Sequence, residues 1–392
     1  MMNQVYCYNP VARVGLSRFG SDYQLTETAA DAVLALVRSK NLHEEVFGKE
    51  LLAIARAGAG VNNIPLERAA EEGIVVFNTP GANANGVKEL VLAGMLLAAR
   101  HIPDSISWVK ENVARDDLAA RTEKAKSAFA GCELAGKTLA VIGLGAIGVQ
   151  VANAAHYLGM QVIGYDPYVS VKAAWKLSRS VEYSADLDTV LGKADFITLH
   201  VPLTDATRHM IDAAAISKMK EGAVLLNYAR DLLVDEAALA EALAGRKVGC
   251  YVSDFPNALT KELPYTITTP HIGASTAESE DNCAVMAVRQ LIDYMENGNI
   301  KNSVNYPDCE MGEVSGQTRL CVLHRNIPNM IARLSGWLGS HDVNIENMVN
   351  KSKGGYAYSL FDIADGITED ISENLRQAEG VLRVRVIAAK HG

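Results

Sequence analysis

Two residues in the second half of the chain carry side chains that could bind a carboxylate and transfer a proton. Arg230 follows the apolar segment AVLLNYA, and His271 follows TITT and one proline. The planar guanidinium of Arg230 can bind a carboxylate through two hydrogen bonds. An imidazole titrates near neutral pH, so His271 could give or accept a proton. The simpler alternatives are a surface arginine and a histidine satisfied within the core.

A glycine fingerprint lies upstream of these residues. Gly143-Leu144-Gly145-Ala146-Ile147-Gly148 separates the apolar segment 138–142 from a helical pattern. Gly143 permits a tight turn, Gly145 lets the backbone approach a pyrophosphate, and Gly148 lets the helix pack closely on the strand. Ala146 and Ile147 fall at the helix N-terminus, where unpaired amides attract anions. The pattern predicts a dinucleotide site.

Asp166 indicates which dinucleotide is bound. It lies 18 residues after Gly148, at the end of the predicted strand 161–165, close to the spacing of about 20 expected for a ribose-binding acid. A carboxylate there would bind the adenosine hydroxyls and repel a 2′-phosphate. We therefore expect NAD rather than NADP. The alternatives are FAD or another nucleotide, and a turn role for Asp166 before Pro167.

The elements that must position these residues alternate between strand and helix. Strands are predicted at 32–38, 51–57, 74–77, 138–142, 161–165, 196–200, 223–227, 247–253 and 266–269, and helices at 27–32, 65–72, 148–158 and 275–297. This alternation predicts an α/β fold with two Rossmann-like, doubly wound parallel sheets. The apolar segment 90–99 is about half as long as the ~20 residues of a membrane span, and we interpret it as a buried helix.

The last part of the chain has a different pattern. Residues 303–317 are polar and aperiodic, which is typical of a linker. Strands at 319–324, 343–350, 356–363 and 381–387 and helices at 328–340 and 368–379 then follow, with a Gly354-Gly355 turn in the middle. The order βαββαβ predicts a ferredoxin-like module.

Composition excludes several classes of protein. The net charge of −9 comes with no long basic segment, so nucleic acid and membrane surfaces are not expected as partners. The six cysteines are scattered and include no C-x-x-C pair, so no disulfide framework and no metal site are expected. With no secretory leader at the N-terminus, we expect a cytoplasmic location and free, buried thiols.

Five segments together resemble the D-2-hydroxyacid dehydrogenases. They are residues 55–100, the fingerprint, HVPLT at 200–204, NYAR at 227–230 and TPHIGAST at 269–276. With the C-terminal module added, the whole chain resembles the short-type D-3-phosphoglycerate dehydrogenases, which carry a regulatory ACT domain. The resemblance implies a substrate-binding domain at 1–94 and 279–302, an NAD domain at 95–278, a linker at 303–317 and an ACT domain at 318–392.

The resemblance also implies roles for individual residues. Arg230 and His271 would be catalytic and bind substrate. Arg56 would bind the substrate phosphate, and the amides around Gly58 its carboxylate; Arg38 and Lys40 could face the same anion or be ordinary surface cations. Beyond the fingerprint and Asp166, the cofactor would contact Tyr228, Ala229, Asp254, Gly273 and Ala274. The implied reaction is oxidation of 3-phospho-D-glycerate to 3-phosphohydroxypyruvate, the first step of phosphorylated serine synthesis.

Three positions depart from the family pattern. Asp231 replaces the glycine that usually follows the catalytic arginine, and it could weaken the grip of Arg230 or face solvent. The glutamate that usually pairs with the histidine is missing; Glu262 is the nearest glutamate, and a solvated loop carboxylate is at least as good an interpretation of it. Asn329 replaces a glycine after Pro328.

In the serine-inhibited family members a histidine and two asparagines bind the effector, and here they correspond to His324, Asn326 and Asn344. A homodimer or homotetramer is expected, because ACT domains pair across subunits. A module that only dimerises remains an alternative to serine binding. The alternatives for the whole chain are a hydroxypyruvate, glyoxylate or D-lactate enzyme of the same family, and an NAD-sensing protein without catalysis.

Overall fold

The computed structural model describes residues 2–113, 115–314, 317–363 and 369–388. Thr368 of the last predicted helix and Ser315 and Gly316 of the predicted linker lie outside this part of the chain. The chain divides into two compact units, residues 1–82 with 280–392, and residues 83–279. The domain limits derived from the resemblance stay a prediction.

The strands of the described residues are β1 (Asn3–Cys7), β2 (Tyr23–Thr26), β3 (Leu34–Val37), β4 (Ala53–Arg56), β5 (Val75–Phe77), β6 (Thr138–Ile142), β7 (Gln161–Tyr165), β8 (Glu182–Tyr183), β9 (Phe196–Leu199), β10 (Ala223–Asn227), β11 (Val248–Ser253), β12 (Thr266–Thr268), β13 (Thr318–Arg325), β14 (Ile345–Lys353), β15 (Tyr356–Ile363) and β16 (Val381–Ile387). The α-helices are α1 (Arg13–Leu16), α2 (Leu66–Glu71), α3 (Ala84–Ala99), α4 (Ile102–Asn112), α5 (Leu118–Ala125), α6 (Ala146–Tyr157), α7 (Val171–Ala174), α8 (Leu187–Lys193), α9 (Ala213–Lys218), α10 (Glu236–Ala244), α11 (Ala277–Asn297), α12 (Met330–Ser340) and α13 (Glu369–Arg376).

The unit formed by residues 83–279 is built on a seven-stranded parallel sheet with the order β12-β11-β10-β9-β6-β7-β8. The order reverses between β6 and β9, so the ends of these two strands form the topological switch point, where doubly wound sheets bind ligands. Apolar residues on both sheet faces are buried against helices, α3 and α6 on one face and α8 to α10 on the other. The predicted Rossmann-type domain is confirmed.

The other unit contains a five-stranded parallel sheet with the order β2-β1-β3-β4-β5. This is the flavodoxin-like variant of the doubly wound fold. Strands β3 and β5 are buried throughout, as expected of strands covered on both faces. The second predicted parallel sheet is also confirmed.

The predicted βαββαβ module is confirmed as well. Its four antiparallel strands have the order β14-β15-β13-β16. One face of this sheet is covered by α12 and α13, with Leu320, Val322, Phe361, Leu334 and Leu375 in the core between them. The left-handed backbone of Asn329, with φ of 64°, explains why a glycine is usual there, since asparagine is among the few other residues that tolerate this conformation.

The second face of this sheet packs into the core of its own unit, together with β1, β3, β4 and α11. Tyr294 and Tyr306 are fully buried in that core. The sheet also supplies arginines to the C-terminus of α11. Arg385 donates to the carbonyls of Tyr294 and Met295, and the fully buried Arg319 donates to the carbonyl of Asn297.

These arginines satisfy the carbonyl groups that a helix end leaves unpaired. Arg319 is held in turn by a bidentate ion pair with Asp362, at 2.7 and 3.0 Å. The C-terminal module is therefore built into this unit. The segment predicted as a linker has no regular helix or strand among its described residues, but it is not loose: Asn305, Tyr306 and Cys309 are buried in it.

Other expectations need correction. The helix predicted at 27–32 is only the 3-10 turn Ala29–Asp31, and β1 and β2 were not predicted. All six cysteines are free, but only three of them are buried: Cys7 and Cys250 are half-buried, and Cys132 is exposed. The apolar segment 90–99 belongs to α3, and none of the helices in the described parts of the chain is long and apolar enough to cross a bilayer.

Candidate active site

The three fingerprint glycines differ in what surrounds them. Gly143 has φ of 96°, and a Cβ there would lie 2.6 Å from the His200 carbonyl oxygen. A Cβ on Gly148 would lie 1.8 Å from the Gly143 carbonyl oxygen, so α6 can approach β6 only with glycine at this position. Gly145, the N-cap of α6, has open space where its Cβ would be. This combination fits a dinucleotide pyrophosphate, because the exposed helix N-terminus carries unpaired amides.

Asp166 is turned toward this fingerprint. Its carboxylate accepts hydrogen bonds from the backbone amides of Leu144 and Tyr168, both at 2.8 Å. The carboxylate thus lies at the end of β7, next to the loop between β6 and α6. This is where an adenosine ribose would need an acceptor for its hydroxyls. The structure brings together Asp166 and the fingerprint, as predicted.

A second histidine, His200, lies at the same edge of the sheet. Its Nε2 is 3.0 Å from the Thr198 hydroxyl, and its Nδ1 is buried without a partner among the described residues. Burial lowers the pKa of His200 to about 3. The imidazole therefore stays neutral at physiological pH and cannot serve as a reversible acid and base there.

Arg230 is exposed just beyond the end of β10, and Nη1 donates to the Ala229 carbonyl at 2.6 Å. The fully buried Asn227 shapes this loop. Its side chain donates to the Arg230 carbonyl at 2.8 Å and accepts from the amides of Ala229 and Arg230. Asn227 was not among the predicted site residues. An asparagine at the end of a buried strand, just before a functional arginine, is the turn signal that could have identified it.

The aspartate beside Arg230 has a local partner. The Asp231 carboxylate accepts from the amide of Leu232 at 2.8 Å and so begins a 3-10 turn, Asp231–Leu233. Within the described residues, no ion pair joins Asp231 to Arg230. Of the two possibilities that the sequence left open, the structure favours an Asp231 that does not take up the guanidinium.

Asp254 directly follows β11, and only 2% of its surface is exposed. Its carboxylate therefore forms its hydrogen bonds within the protein. It accepts hydrogen bonds from the Thr269 hydroxyl at 2.5 Å and from the amides of Ile272 and Gly273 at 2.9 and 2.7 Å. The Asp254 carbonyl also accepts from the His271 amide at 3.0 Å. This aspartate therefore fixes the loop on both sides of His271.

His271 is exposed and has a left-handed backbone, with φ of 56°. Its ring lies against Phe255, with 4.9 Å between ring centroids and 60° between ring planes. Glu262 does not pair with it: that carboxylate is 73% exposed and lies 3.5 Å from the ammonium of Lys261. Within the described residues, His271 therefore has an aromatic neighbour where the family pattern has a glutamate.

The remaining predicted cofactor contacts flank these loops. Ala229 and Ala274 are half-buried beside Arg230 and His271, and Gly273 is buried close to the Asp254 carboxylate. The side chain of Tyr228 points into the core instead, where its hydroxyl fills the space beside Gly94 of α3. Burial raises the pKa of this phenol. Tyr228 could therefore meet a cofactor only through its backbone.

In the other unit, Arg56 ends β4, next to Val37 at the end of β3. Its guanidinium folds back over the following turn, and a Cβ at Gly58 would lie 2.6 Å from Nη1. Because Gly58 has no side chain, the guanidinium of Arg56 can occupy this space. The carbonyl of Gly58 accepts from the amide of Thr79, which follows β5. Arg56 and Gly58 thus lie together at the carboxyl edge of this sheet, where such folds bind ligands.

The two other candidate cations have carboxylate partners. Arg38 forms an ion pair with Glu280 of α11, and Lys40 lies 3.0 Å from Glu45. Both cations are about half exposed. Surface pairs of this kind contribute little stability, but they reduce the positive charge available to an anion.

In the C-terminal module, His324 is buried and its ring is fully engaged. Nδ1 is 2.9 Å from the Arg325 carbonyl, to which it donates, and Nε2 is 2.9 Å from the Ser359 hydroxyl. Burial lowers the pKa of His324. Asn326 donates to the Gly354 carbonyl at 3.1 Å and so braces the turn between β14 and β15. His324 and Asn326 lie at one end of the sheet.

Asn344 lies at the other end. His324 pairs with Ala357, which pairs with Ser352 near the end of β14, whereas Asn344 precedes that strand. Seven residues of extended chain lie between Asn344 and Ser352, so the two are roughly 25 Å apart. One copy of the chain therefore does not bring the three predicted effector residues together.

The sequence-family model for the NAD-binding domain of the D-isomer specific 2-hydroxyacid dehydrogenases matches residues 92–273. A D-3-phosphoglycerate dehydrogenase from Escherichia coli strain K12 is 33% identical over 385 residues, 93% of this chain and 89% of that protein. The D-3-phosphoglycerate dehydrogenase from Methanocaldococcus jannaschii is 38% identical over 79% of this chain. This chain spans only 59% of the length of that protein. A hydroxypyruvate reductase from Thermotoga maritima is 42% identical over 62% of this chain and 78% of its own.

Among solved structures, the NAD+-bound 3-phosphoglycerate dehydrogenase of Entamoeba histolytica has a TM-score of 0.59 and 27% identity. The match covers 78% of this chain and 99% of that one. It agrees with the two parallel sheets described above, and with a dinucleotide site at the fingerprint.

Proposed function

The chain belongs to the D-2-hydroxyacid dehydrogenases and contains their NAD-binding domain, and from this premise we propose that it oxidises 3-phospho-D-glycerate to 3-phosphohydroxypyruvate with NAD. This is the first reaction of the phosphorylated route to serine. The observation that carries the proposal is the placement of Arg56 over Gly58 at the carboxyl edge of its sheet. A guanidinium there suits a substrate with a phosphate as well as a carboxylate.

In the unit formed by residues 83–279, separate residues bind the substrate carboxylate, transfer the proton and hold the histidine loop in place. Bound NAD supplies the hydride acceptor. Arg230, on a loop fixed by Asn227, binds the substrate carboxylate and polarises the C2 oxygen. His271 accepts the proton of the C2 hydroxyl at a ring nitrogen during oxidation and returns it during reduction. Asp254 holds the His271 loop in place through Thr269, Ile272 and Gly273.

Replacing Arg56 tests the choice of substrate. R56A is expected to raise the KM for phosphohydroxypyruvate about 10- to 100-fold, because a hydrogen bond to a charged group contributes about 1.5–3 kcal/mol. The KM for hydroxypyruvate, which lacks the phosphate, should change much less. Initial rates of NADH oxidation with both substrates measure the effect. R38A is the matched control, since Arg38 already pairs with Glu280. Equal KM changes for the two substrates would remove Arg56 from phosphate binding.

The second candidate function is that of a hydroxypyruvate or glyoxylate reductase. The similarity to the Thermotoga maritima hydroxypyruvate reductase favours it. The same assay separates the candidates, because a preference of kcat/KM for hydroxypyruvate over its phosphorylated form would select the reductase. No turnover with phosphohydroxypyruvate, hydroxypyruvate or pyruvate, despite NADH binding, would indicate an NAD sensor.

The C-terminal module supports a further part of the proposal, that serine regulates a homodimer or homotetramer. His324 and Asn326 lie far from Asn344 in one chain, so a site using all three residues requires a second copy. Strand β14 is an edge strand whose residues are largely exposed. An unpaired edge of this kind can pair with another chain.

Calorimetric titration of the full chain with serine tests this part. The whole chain is needed, because the isolated module would expose the sheet face that packs on α11. We expect binding by the wild type, and at least tenfold weaker binding by N344A, which alters an exposed residue. A monomer in sedimentation, or no heat with serine, would refute this part and leave the dehydrogenase proposal intact.

A further inference from the structure

The surroundings of His271 differ from the family pattern in a way that assigns a role to another residue. Resting on the proposed function, we infer that Phe255 is a positioning residue for the acid and base His271, and that its ring orients the imidazole in place of a carboxylate partner.

Several hydrogen bonds hold the backbone around His271 in one conformation. The His271 amide donates to the carbonyls of Asp254 and Thr269, both at 3.0 Å, and the residue sits at φ of 56°. This left-handed conformation is uncommon for a residue with a side chain, and surrounding contacts must hold it. The Asp254 carboxylate supplies these contacts on both sides of the histidine. The Cα of His271 is thereby fixed, but rotation of its side chain is not.

The ring contact with Phe255 supplies the missing restraint. The two rings lie 4.9 Å apart at 60°, a tilted arrangement within the range that aromatic pairs prefer. Phe255 is itself held. Its amide donates to the Ser253 hydroxyl at 3.1 Å, and Pro256 restricts its backbone to the extended region. Phe255 is half-buried, whereas His271 is exposed.

The loop after Phe255 explains why, within the described residues, none of its carboxylates pairs with the histidine ring. Asn257 organises it, because its side chain accepts from the amides of Leu259 and Thr260 and donates to Glu236 of α10. The charged groups packed against the loop are thus engaged elsewhere. Glu236 is bound to Asn257, Glu262 lies beside Lys261, and Asp254 accepts from the Thr269 hydroxyl and two backbone amides.

An aromatic ring can orient an imidazole, but it cannot stabilise the imidazolium as a carboxylate does. Removing the ring should therefore lower kcat without altering substrate binding. F255L is expected to lower kcat about 10- to 100-fold, since a displacement of about 1 Å at a reacting group can cost a factor of ~10². The KM for the keto acid should stay within about twofold. F255Y, which keeps the ring, should restore kcat.

A second pair of variants separates orientation from charge. F255E places a carboxylate where the ring was, which favours the protonated imidazole that reduction requires. The pH above which the reductive kcat/KM falls should therefore be higher than in the wild type. F255Q has a similar shape without the charge and should leave the profile unmoved. Y265L is the matched control, because the Tyr265 ring contacts the guanidinium of Arg246, 3.8 Å away, and not the histidine.

The test also works without turnover. In NMR spectra of the His271 ring, wild type and F255Y should give one ordered environment, and F255L should give a ring averaged between rotamers. If F255L keeps wild-type kcat and an ordered imidazole, Phe255 has no positioning role. A wild-type enzyme inactive on phosphohydroxypyruvate would refute the proposed substrate instead, and the NMR comparison would still decide the role of Phe255.

Discussion

Replacement of His271 by alanine is expected to lower the turnover of phosphohydroxypyruvate by about 10²–10⁴-fold, the usual contribution of a positioned acid or base. His271 is an exposed imidazole that follows β12 at the carboxyl edge of the sheet. His200 is half-buried and is not expected to replace it, because burial of its ring lowers the pKa of His200 to about 3. Stopped-flow measurement of NADH oxidation in a single turnover isolates the chemical step from product release.

Two controls make this result specific. NADH binding, followed by fluorescence, should be unchanged in H271A, since the loop is held by Asp254 and by the His271 backbone rather than by its ring. E262A should keep nearly full activity, because Glu262 is a surface carboxylate beside Lys261. A large loss in E262A would show that the carboxylate partner had only moved along the chain. Near-normal turnover by H271A would remove the histidine from catalysis.

The second large effect is expected at Gly148. A Cβ there would lie 1.8 Å from the Gly143 carbonyl oxygen, closer than any real contact, so α6 must move away from β6. We expect G148A to lower the free energy of unfolding by about 1–3 kcal/mol, the usual result of overpacking. The affinity for NAD should fall at least about tenfold, because the helix N-terminus that binds the pyrophosphate moves with α6. Urea unfolding and NAD titration measure the two effects.

Two other glycines of the same unit serve as controls. A Cβ at Gly145 meets open space, so G145A should unfold like the wild type while obstructing the approach of the pyrophosphate. At Gly192 a Cβ would lie 3.5 Å from its nearest neighbour, an ordinary contact, so G192A should change neither quantity by much. Wild-type NAD affinity in G148A would contradict the assignment of the fingerprint.

The sequence predicted the bounds of strands best where helices cover both faces of the sheet, because such strands are continuous apolar segments. Strands β6, β7 and β10 begin and end at the predicted residues, because central strands of a parallel sheet are continuous apolar segments. Strand β1, with the sequence NQVYC, is only partly buried and carries no such signal. The segment 27–32 was wrongly predicted as a helix, because alanines favour helix locally but too few residues follow to continue one.

The sequence predicted where along the chain the candidate site residues lie, but not the contacts that they make. Asp166 and the fingerprint meet as their spacing predicted. The pairing of Phe255 with His271 joins two loops that are separated in sequence, and no periodicity marks it. The separation of Asn344 from His324 follows from the strand register of β13, β14 and β15, which composition and spacing do not determine. The burial of Tyr306 in a segment that resembled a linker likewise depends on a tertiary contact.

The most direct test of the central proposal is the forward reaction. The chain is incubated with NAD and 3-phospho-D-glycerate, hydrazine traps the keto product, and absorbance at 340 nm follows NADH. Our account predicts one NADH for each phosphohydroxypyruvate hydrazone, with a kcat/KM well above that for D-glycerate or D-lactate. Oxidation of D-glycerate or D-lactate in preference to the phosphorylated acid, or no oxidation of any of the three, would contradict it.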